Sequence, residues 1–322
     1  MTQCNLPFRS DLVENIILES SVGRFRWHEQ WVAFPEGLTA EYTGKTHGIA
    51  ISNLGWIIVF RQANPSVLVY NESSQLIDSW GRYPGAHGLT LVEEDGVESL
   101  WLTDEQSGIV EKRTLDGLLM QSLVQPHHPM YQRCVYRPTW AAVNETRFGG
   151  NGDLWIADGY GAHLIHRYAA TGHYLQTIDG SEGTGRFNCP HGIWFDSRKW
   201  PSELYVADRN NRRVAVYDAE GFFKRSFGPD FLTSPDGFVN FGDILIVPEL
   251  MGCVTILDGH DRLTDRLAAN SDICAMPGWP NQTPIEAGKF ISPHAAAVDA
   301  AGNIFVVEWR EGGRIIKLEK LH

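Results

Sequence analysis

Four of the twelve histidines stand at the same place in a recurring sequence pattern. Each opens a short apolar run, and the four runs read "THGIAIS", "AHGLTLV", "PHGIWFD" and "SPHAAAVD", which contain His47, His87, His191 and His294. Imidazole is a common ligand of zinc, iron, nickel and copper. Because equivalent positions of a repeat occupy equivalent places in the folded chain, the pattern predicts a cluster of imidazoles that could hold one metal ion.

The strands that must position these histidines belong to a longer repeat. Each copy has an apolar strand ending in aspartate, a polar turn, an alternating strand, a glycine-containing turn and a last apolar strand, most clearly in residues 98–123, 152–178 and 202–227. A further short strand opens each copy, and six such openings are found at 46–52, 86–92, 138–144, 190–196, 234–240 and 292–299. They are spaced by about 40 to 58 residues, which is typical of the blades of a propeller.

The sixth copy stops after its third strand, at the end of the chain. The segment 24–34 contains an apolar and aromatic pattern that could supply the missing outer strand and close the ring. Ring closure removes the open sheet edges that favour aggregation. The sequence therefore predicts an all-β, six-bladed β-propeller in a single domain, 1–322, with an N-terminal extension over about residues 1–20.

The first strand of each propeller blade lines the central channel, so the six openings predict a first ring made of His47, His87, Thr139, His191, Asp236 and His294. Three of its histidines, on blades two, four and six, are separated by roughly 120° about the axis and could converge on one point. Three imidazoles with open positions are typical of a catalytic zinc site. We therefore predict a divalent transition metal on His87, His191 and His294, zinc first and iron second. The alternative is that these imidazoles cap strand starts by hydrogen bonding to backbone.

A second ring is predicted where the second strands end at the channel mouth. Its residue pairs are Arg61-Gln62, Glu105-Gln106, Gly159-Tyr160, Arg209-Asn210, Glu249-Leu250 and Trp309-Arg310. Tyr160 lies between two glycines, and its phenol becomes a useful base only beside a cation, which Arg61 or the metal could supply. A surface tyrosine and a solvated arginine are the alternative. The predicted substrate contacts are His47, Asp236 and Arg310.

Composition narrows the partners and the compartment. A formal net charge of -12 with no Lys/Arg block argues against nucleic acid and against an anionic membrane surface, which leaves a small-molecule substrate. The acidic N-terminus lacks the apolar stretch of a signal peptide, and no apolar run approaches the roughly 20 residues of a membrane span. Five scattered cysteines fit a reducing compartment, so we predict a cytoplasmic protein.

The "PHG"-type openings and the turn "ADRNNRRV" at 207–214 resemble those of NHL-repeat propellers. More narrowly, the chain resembles the peptidyl-α-hydroxyglycine α-amidating lyases from about residue 40 to its end. That family binds zinc through three histidines at inner-strand starts, which implies His87, His191 and His294 here. Its catalytic tyrosine lies in a "DGY" turn, matched by Tyr160, and its active-site arginine follows a "VIFHR"-like strand, matched by Arg61 in "IIVFR".

Two departures from that family stand out. Its members have Met before the last "PH" and an Asp after it that helps to bind a structural calcium, whereas Ser292 and Ala295 stand there in this chain. The resemblance therefore does not extend to the calcium site. His47 has no counterpart in the family pattern, which leaves it as an extra ligand, a general base or a substrate contact.

The resemblance implies a metal-assisted elimination at a carbinolamide or similar α-hydroxy centre, with Tyr160 as the base and Arg61 as its electrostatic partner. A lyase or hydrolase of uronate-type sugars is an alternative, in which loop aromatics would stack on the sugar, with candidates at Tyr131, Tyr136, Trp140 and Trp279. A gluconolactonase-like site would need Glu, Asn and Asp around calcium, whereas this ring offers mainly histidines. The non-enzymatic alternative is an NHL-repeat interaction scaffold.

Overall fold

The computed structural model describes residues 16–32, 34 and 43–322. Over these residues the chain forms strands arranged in six sheets, and the inner strands of neighbouring sheets contact one another around a central axis. The predicted six-bladed, all-β propeller is therefore confirmed. The described helical elements are short 3₁₀ turns at Pro129–Gln132, Thr146–Phe148, Arg209–Asn211 and Ile273–Ala275.

The chain enters blade six through β1 (Ile17–Ser20) and β2 (Gly23–His28). Blade one contains β3 (Thr46–Ile51), β4 (Ile57–Arg61), β5 (Val67–Tyr70) and β6 (Leu76–Trp80). Blade two contains β7 (Ala86–Glu94), β8 (Val97–Asp104), β9 (Ile109–Arg113) and β10 (Leu119–Ser122). Blade three contains β11 (Trp140–Val143), β12 (Leu154–Asp158), β13 (Leu164–Tyr168) and β14 (Tyr174–Ile178).

Blade four contains β15 (Pro190–Asp196), β16 (Glu203–Asp208), β17 (Arg213–Tyr217) and β18 (Phe223–Phe227). Blade five contains β19 (Val239–Phe241), β20 (Ile244–Glu249), β21 (Cys253–Leu257) and β22 (Leu263–Leu267). Blade six is completed by β23 (Pro293–Val298), β24 (Ile304–Glu308) and β25 (Arg314–Leu321).

The ring is closed by pairing the two ends of the chain. Strand β2 pairs antiparallel with β25, from Arg24 opposite Leu321 to His28 opposite Lys317, as the segment 24–34 predicted. Strand β1 then adds a fifth strand to this blade, so the last residues of the predicted N-terminal extension belong to the sheet. Trp27 is fully buried at the seam, which gives the closing strand an apolar anchor.

The middle strands of the blades form the packed interior. Strands β4, β5, β12, β16 and β21 are buried at every position, whereas the outer strands β6 and β10 are mostly exposed. Runs of Val, Ile and Leu suit the middle strands because apolar side chains of adjacent blades cover both of their faces. The blades therefore pack rigidly around the axis and fix the inner strands in place.

Buried carboxylates fasten the start of the inner strand in five blades. The second strand of each ends in an acid, and these acids are Asp104, Asp158, Asp208, Glu249 and Glu308. Each accepts backbone N–H groups from the loop that precedes the inner strand, such as Gly85 N, Arg137 N, Asn188 N, Ser234 N and Ile291 N. In blade one the same position carries Arg61.

Two further structural findings bear on the compartment. None of the helices in the described ranges has the length and apolar character needed to cross a membrane. The four cysteines that the structure describes, Cys134, Cys189, Cys253 and Cys274, are free thiols, and Cys4 lies outside the described residues. The cytoplasmic location stays a prediction.

Candidate metal centre

The four channel histidines all lie at irregularities in the pairing of the first and second strands. The pairing shifts between Thr46 and Gly48, between Ala86 and Leu89, between Pro190 and Ile193, and between Pro293 and Ala295. Such a β-bulge bends the strand and redirects a side chain. Blade three, which has no channel histidine, pairs along β11 without a shift. The bulges therefore account locally for the turn of these imidazoles toward the axis.

His87, His191 and His294, here called the histidine triad, form a nearly equilateral triangle. Their ring centres lie 4.7 Å, 4.9 Å and 4.8 Å apart, for the pairs His87–His191, His87–His294 and His191–His294. All three side chains are buried. This spacing brings three ring nitrogens close enough to share one ion at the zinc–imidazole distance of about 2.0–2.1 Å.

Backbone carbonyl groups fix which nitrogen of each triad imidazole faces the axis. The three bonds, each 2.8 Å long, join His87 Nδ1 to Thr139 O, His191 Nδ1 to Asp236 O, and His294 Nδ1 to His47 O. A carbonyl oxygen can only accept, so each Nδ1 carries the proton and each Nε2 keeps its lone pair. Imidazoles that ligate metals in proteins are oriented in this way by a partner on the other nitrogen. Imidazoles of even-numbered blades thus use carbonyls of odd-numbered blades.

The hydrogen bonds around Tyr160 do not satisfy these three lone pairs. Tyr160 Oη lies 3.2 Å from His87 Nε2 and 3.1 Å from His191 Nε2, but one hydroxyl has a single proton to donate. His294 Nε2 is buried and has no hydrogen-bond partner among the described residues. Buried acceptors without donors are costly, so the site fits a cation that takes all three nitrogens.

The protonation state of the triad also suits a metal. Burial lowers the pKa of His87, His191 and His294 well below the ordinary value, and neighbouring charged groups add to the effect. The imidazoles are therefore neutral at physiological pH, which is the form that binds a metal. The residues present fit the predicted metal.

Glycine beside each triad histidine lets the neighbouring blade approach. A Cβ atom at Gly88 would lie 2.6 Å from Thr139 O, and one at Gly192 would collide with Asp236 O. These are the same carbonyl oxygens that accept from His87 and His191. The "HG" pair in the sequence is therefore explained by close packing between blades around the imidazole.

We expect Gly192→Ala to weaken metal binding although it removes no ligand. The added methyl group must displace Asp236 O, and His191 then loses the hydrogen bond that holds its ring. Loss of such a supporting bond typically lowers metal affinity by about 10- to 100-fold. Chelator competition would measure it, with Gly242→Ala as a control, because a Cβ there meets nothing within 4 Å. Unchanged affinity in folded Gly192→Ala would contradict this account.

Tyr160 contacts Arg209, rather than the Arg61 that the sequence suggested as its partner. Arg209 Nη1 lies 3.4 Å from Tyr160 Oη and 3.1 Å from Asp236 Oδ1, and its guanidinium stands 5.4 Å from the centre of the Tyr160 ring. The second ring had placed Arg209 at the channel mouth without a role. Its position on that ring, one blade after Tyr160, was the signal available in the sequence.

The electrostatics of this group are set by burial and by the one arginine. Burial raises the pKa of Tyr160 above its ordinary value, and Arg209 opposes the rise. Burial also raises the pKa of Asp236 to about 7, again against Arg209. Burial disfavours the charge on Arg209, but Asp236 and Tyr160 outweigh it and raise its pKa. The guanidinium therefore stays charged and favours the anionic form of both neighbours.

Arg61 and Arg310 lie at the channel mouth with unused hydrogen-bonding capacity. Arg61 Nε and Nη2 are buried and, among the described residues, have no partner, while its guanidinium stands 5.0 Å from the centre of the Phe34 ring. Arg310 Nη2 donates to Asn281 O at 3.2 Å, but its buried Nη1 has no partner in the described part of the chain. Burial lowers the pKa of both groups. Both guanidinium groups could bind an anion.

The remaining predicted residues divide between the centre and its surroundings. The His47 ring contacts those of His87 and His294, and Trp140 stacks on His294 at 6.3 Å. The other loop aromatics make contacts elsewhere: Tyr131 bonds to His166 and Asp158, Tyr136 contacts Tyr131 and His166, and Trp279 contacts Trp309. Trp140 is thus the loop aromatic that supports the triad.

The chain has relatives among NHL-repeat proteins and amidating lyases. It is 28% identical over 248 residues to NHL repeat-containing protein 3 from Homo sapiens, an alignment covering 70% of the chain and 67% of that protein. It is 24% identical over 208 residues to a probable peptidyl-α-hydroxyglycine α-amidating lyase from Caenorhabditis elegans. That alignment covers 55% of the chain and 56% of the lyase, so it spans little more than half of the relative.

Solved structures show the fold alone. A gluconolactonase from Xanthomonas campestris superimposes with a TM-score of 0.62 at 14% identity, over 98% of this chain and 94% of that one. No family model matches the sequence. The chain is therefore a six-bladed β-propeller with homologues among the NHL repeat-containing proteins and the peptidyl-α-hydroxyglycine α-amidating lyases.

Proposed function

We propose that this protein is a metal-dependent lyase that cleaves a small α-hydroxy, carbinolamide-type substrate. The observation that carries the proposal is the convergence of three unsatisfied Nε2 lone pairs beside a buried tyrosine hydroxyl. Neutral imidazoles in this arrangement suit a catalytic ion, with zinc first and iron second. Homology to a probable amidating lyase supports the choice of reaction.

A divalent ion held by the histidine triad would supply Lewis-acid chemistry, making a hydroxyl group of the substrate more acidic. Tyr160 Oη, which lies beside two of the triad nitrogens, would accept the hydroxyl proton. The carbon–oxygen double bond would then form while the bond from the same carbon to the leaving nitrogen breaks. Tyr160 would return the proton to that nitrogen, so the elimination releases a carbonyl compound and a neutral amide.

Arg209 would keep Tyr160 ready for this proton transfer. Its charge stabilises the phenolate, and its ion pair with Asp236 holds the guanidinium in place at 3.1 Å. Because Arg209 and Tyr160 are both buried, solvent screening of this interaction is weak. We propose Tyr160 as the catalytic base and Arg209 as its electrostatic partner, the role that the family resemblance had given to Arg61.

Arg61 would then be free to bind the substrate. In five blades the equivalent position is a buried acid that binds backbone N–H groups, a role that a guanidinium cannot take. Its two unpartnered nitrogens fit the two oxygens of a carboxylate, which arginine binds in a bidentate manner. We therefore propose a substrate with a carboxylate next to the hydroxyl-bearing carbon, and Arg310 as a second contact with it.

The direct test is release of glyoxylate from N-acyl-α-hydroxyglycines by the protein loaded with zinc or with iron(II). We expect glyoxylate and the corresponding amide in equal amounts, and no release by the metal-free protein. Acyl groups of different size should be compared, because the acyl side is not specified by Arg61. No release from stoichiometrically loaded protein across this series would refute the proposed substrate, and uronate-type sugars would be tested next.

We expect Arg61→Gln to raise KM for a carboxylate substrate by at least about 10-fold with a smaller effect on kcat. Loss of one partner from a buried charged pair costs about 2–5 kcal/mol, and each 1.4 kcal/mol is a factor of ten. Steady-state kinetics would be compared with those of Arg186→Gln, a mostly exposed arginine that forms only a 3.6 Å ion pair with Asp179. A substrate analogue in which an uncharged amide replaces the carboxylate should lose the difference between wild type and Arg61→Gln.

A further inference from the structure

We infer that His47 is a fourth protein ligand of the ion held by the histidine triad, and that the centre is six-coordinate. The inference rests on the metal centre of the proposed function and deepens it. It assigns a role to the residue that has no counterpart in the family pattern. It also changes the chemistry of the site, because three histidines alone are typical of four-coordinate zinc.

The position of His47 matches that of the triad members. Its ring centre lies 5.0 Å from that of His87 and 4.7 Å from that of His294, the same spacing as within the triad. The candidate ligand atoms of these three residues lie within 4.8 Å of one another. The His47 side chain is buried, at 2% exposure, so its imidazole is held within the channel wall.

The free nitrogen of His47 is also in the ligand form. His47 Nδ1 lies 3.2 Å from Lys45 O, and the carbonyl can only accept, so Nδ1 is the donor. This leaves Nε2 with its lone pair, as in the triad. The β-bulge at the start of β3 turns this side chain as the corresponding bulges turn the triad. All four imidazoles therefore have the same tautomer and the same local device.

The arrangement of the four rings points to an octahedral centre rather than a tetrahedral one. His47 lies beside His87 and His294 but, within the described residues, makes no ring contact with His191. Four tetrahedral ligands would all be equally spaced. In an octahedron whose one face is the triad, a fourth ligand must lie beside two triad members and opposite the third. His47 satisfies this condition, with His191 as the ligand opposite to it.

The nearby ligand atoms do not form a second, separate centre. The ligand atoms of His191, Asp236 and His294 also lie within 4.8 Å of one another, so His294 is common to both groups. His294 Nδ1 donates to His47 O, which leaves a single lone pair on this imidazole. One lone pair binds one ion. The four histidines therefore serve a single ion, with Asp236 Oδ1 engaged by Arg209 beside it.

Four protein ligands leave two adjacent positions of an octahedron open. Two adjacent positions suit a substrate that offers two oxygens from neighbouring carbons, as a 2-hydroxy acid does. Octahedral coordination is also less suited to zinc than to iron(II), cobalt(II) or nickel(II) among the ions that imidazole binds. We therefore expect the centre to prefer one of these ions over zinc when they compete at equal concentration.

Cobalt(II) is the probe for the test, because six-coordinate cobalt absorbs visible light weakly and four-coordinate cobalt absorbs strongly. X-ray absorption on the cobalt-loaded wild type should count four imidazoles, and its visible bands should be weak. In His47→Ala we expect binding at least about 10-fold weaker, since even loss of a group that only supports a ligand costs that much. The backbone carbonyl of His47 remains in this variant, so the hydrogen bond to His294 is kept.

Exogenous imidazole should enter the space left in His47→Ala and restore both the affinity and the wild-type spectrum. His47→Phe keeps a ring without a ligand nitrogen and should resist this rescue. His173→Ala, which removes an exposed histidine of blade three, is the matched control and should behave as wild type. Circular dichroism of each metal-free variant would establish that it is folded.

The outcomes separate this inference from the proposed function. Three imidazoles in the wild type, or unchanged affinity and spectrum in His47→Ala, would overturn the role of His47 and leave the triad intact. Absence of stoichiometric metal from the wild type would overturn the metal centre itself, and the inference with it. Four imidazoles together with rescue of His47→Ala alone would support it.

Discussion

Replacing His191 by alanine is expected to lower the metal affinity of the protein by more than about 100-fold and to remove lyase activity. Loss of a hydrogen-bond partner of a ligand already costs about 10- to 100-fold, and His191 is itself a proposed ligand. It is fully buried, and its Nδ1 bond to Asp236 O directs Nε2 at the axis. Elemental analysis of gently purified protein and chelator competition would measure the loss.

The fold is expected to survive this change. The backbone carbonyl of His191, which accepts from Thr139 Oγ1 at 2.8 Å, is kept in His191→Ala. The removed imidazole is a side chain of the channel and not of the cores between the blades. His173→Ala again provides the matched control. Wild-type metal content and affinity in folded His191→Ala would show that the ion lies elsewhere.

Replacing Tyr160 by phenylalanine is expected to lower kcat by about 10²- to 10⁴-fold, the usual contribution of a general base, while the metal remains bound. The phenol lies within 3.2 Å of two triad nitrogens, so it is close to any substrate hydroxyl at the centre. Phenylalanine keeps the ring between the two histidines and removes only the oxygen. Steady-state kinetics and metal content would be measured on the same sample.

The control for this prediction is Tyr168→Phe. Tyr168 is a buried tyrosine of the same blade, and its hydroxyl donates to Val124 O at 3.1 Å, outside the channel. We expect a small loss of stability there and unchanged kcat. Retention of activity by Tyr160→Phe would remove this phenol from the mechanism, whereas loss of the metal would show that it is a ligand rather than the base.

The fold was predictable because a propeller repeats a local pattern. The six strand openings, the spacing of the copies and the incomplete last copy are all properties of short segments. The structure confirms the six blades and the closing strand, and it adds β1 as a fifth strand of blade six. The added strand was missed because Ile17–Ser20 is a short run without the flanking copies that marked the others.

The partners of the site residues were less predictable. The sequence placed Arg61 and Arg209 at the same ring level, and the resemblance selected Arg61 as the partner of Tyr160. The structure shows Arg209 in contact with Tyr160, and Arg61 at a position that five other blades fill with a buried acid. The direction of a long side chain depends on packing between blades, and the repeat does not encode it.

The sequence by itself determined that four histidines share one position of a six-fold repeat and that three of them lie on alternate blades. Strand period and turn residues are local, so the ring could be read from the chain alone. Only the tertiary structure decided which nitrogen of each imidazole faces the axis, because the carbonyls that fix it belong to a neighbouring blade. It also decided that His47 stands beside two triad members and apart from the third. Such contacts join residues far apart in sequence, and their geometry follows from how the blades pack.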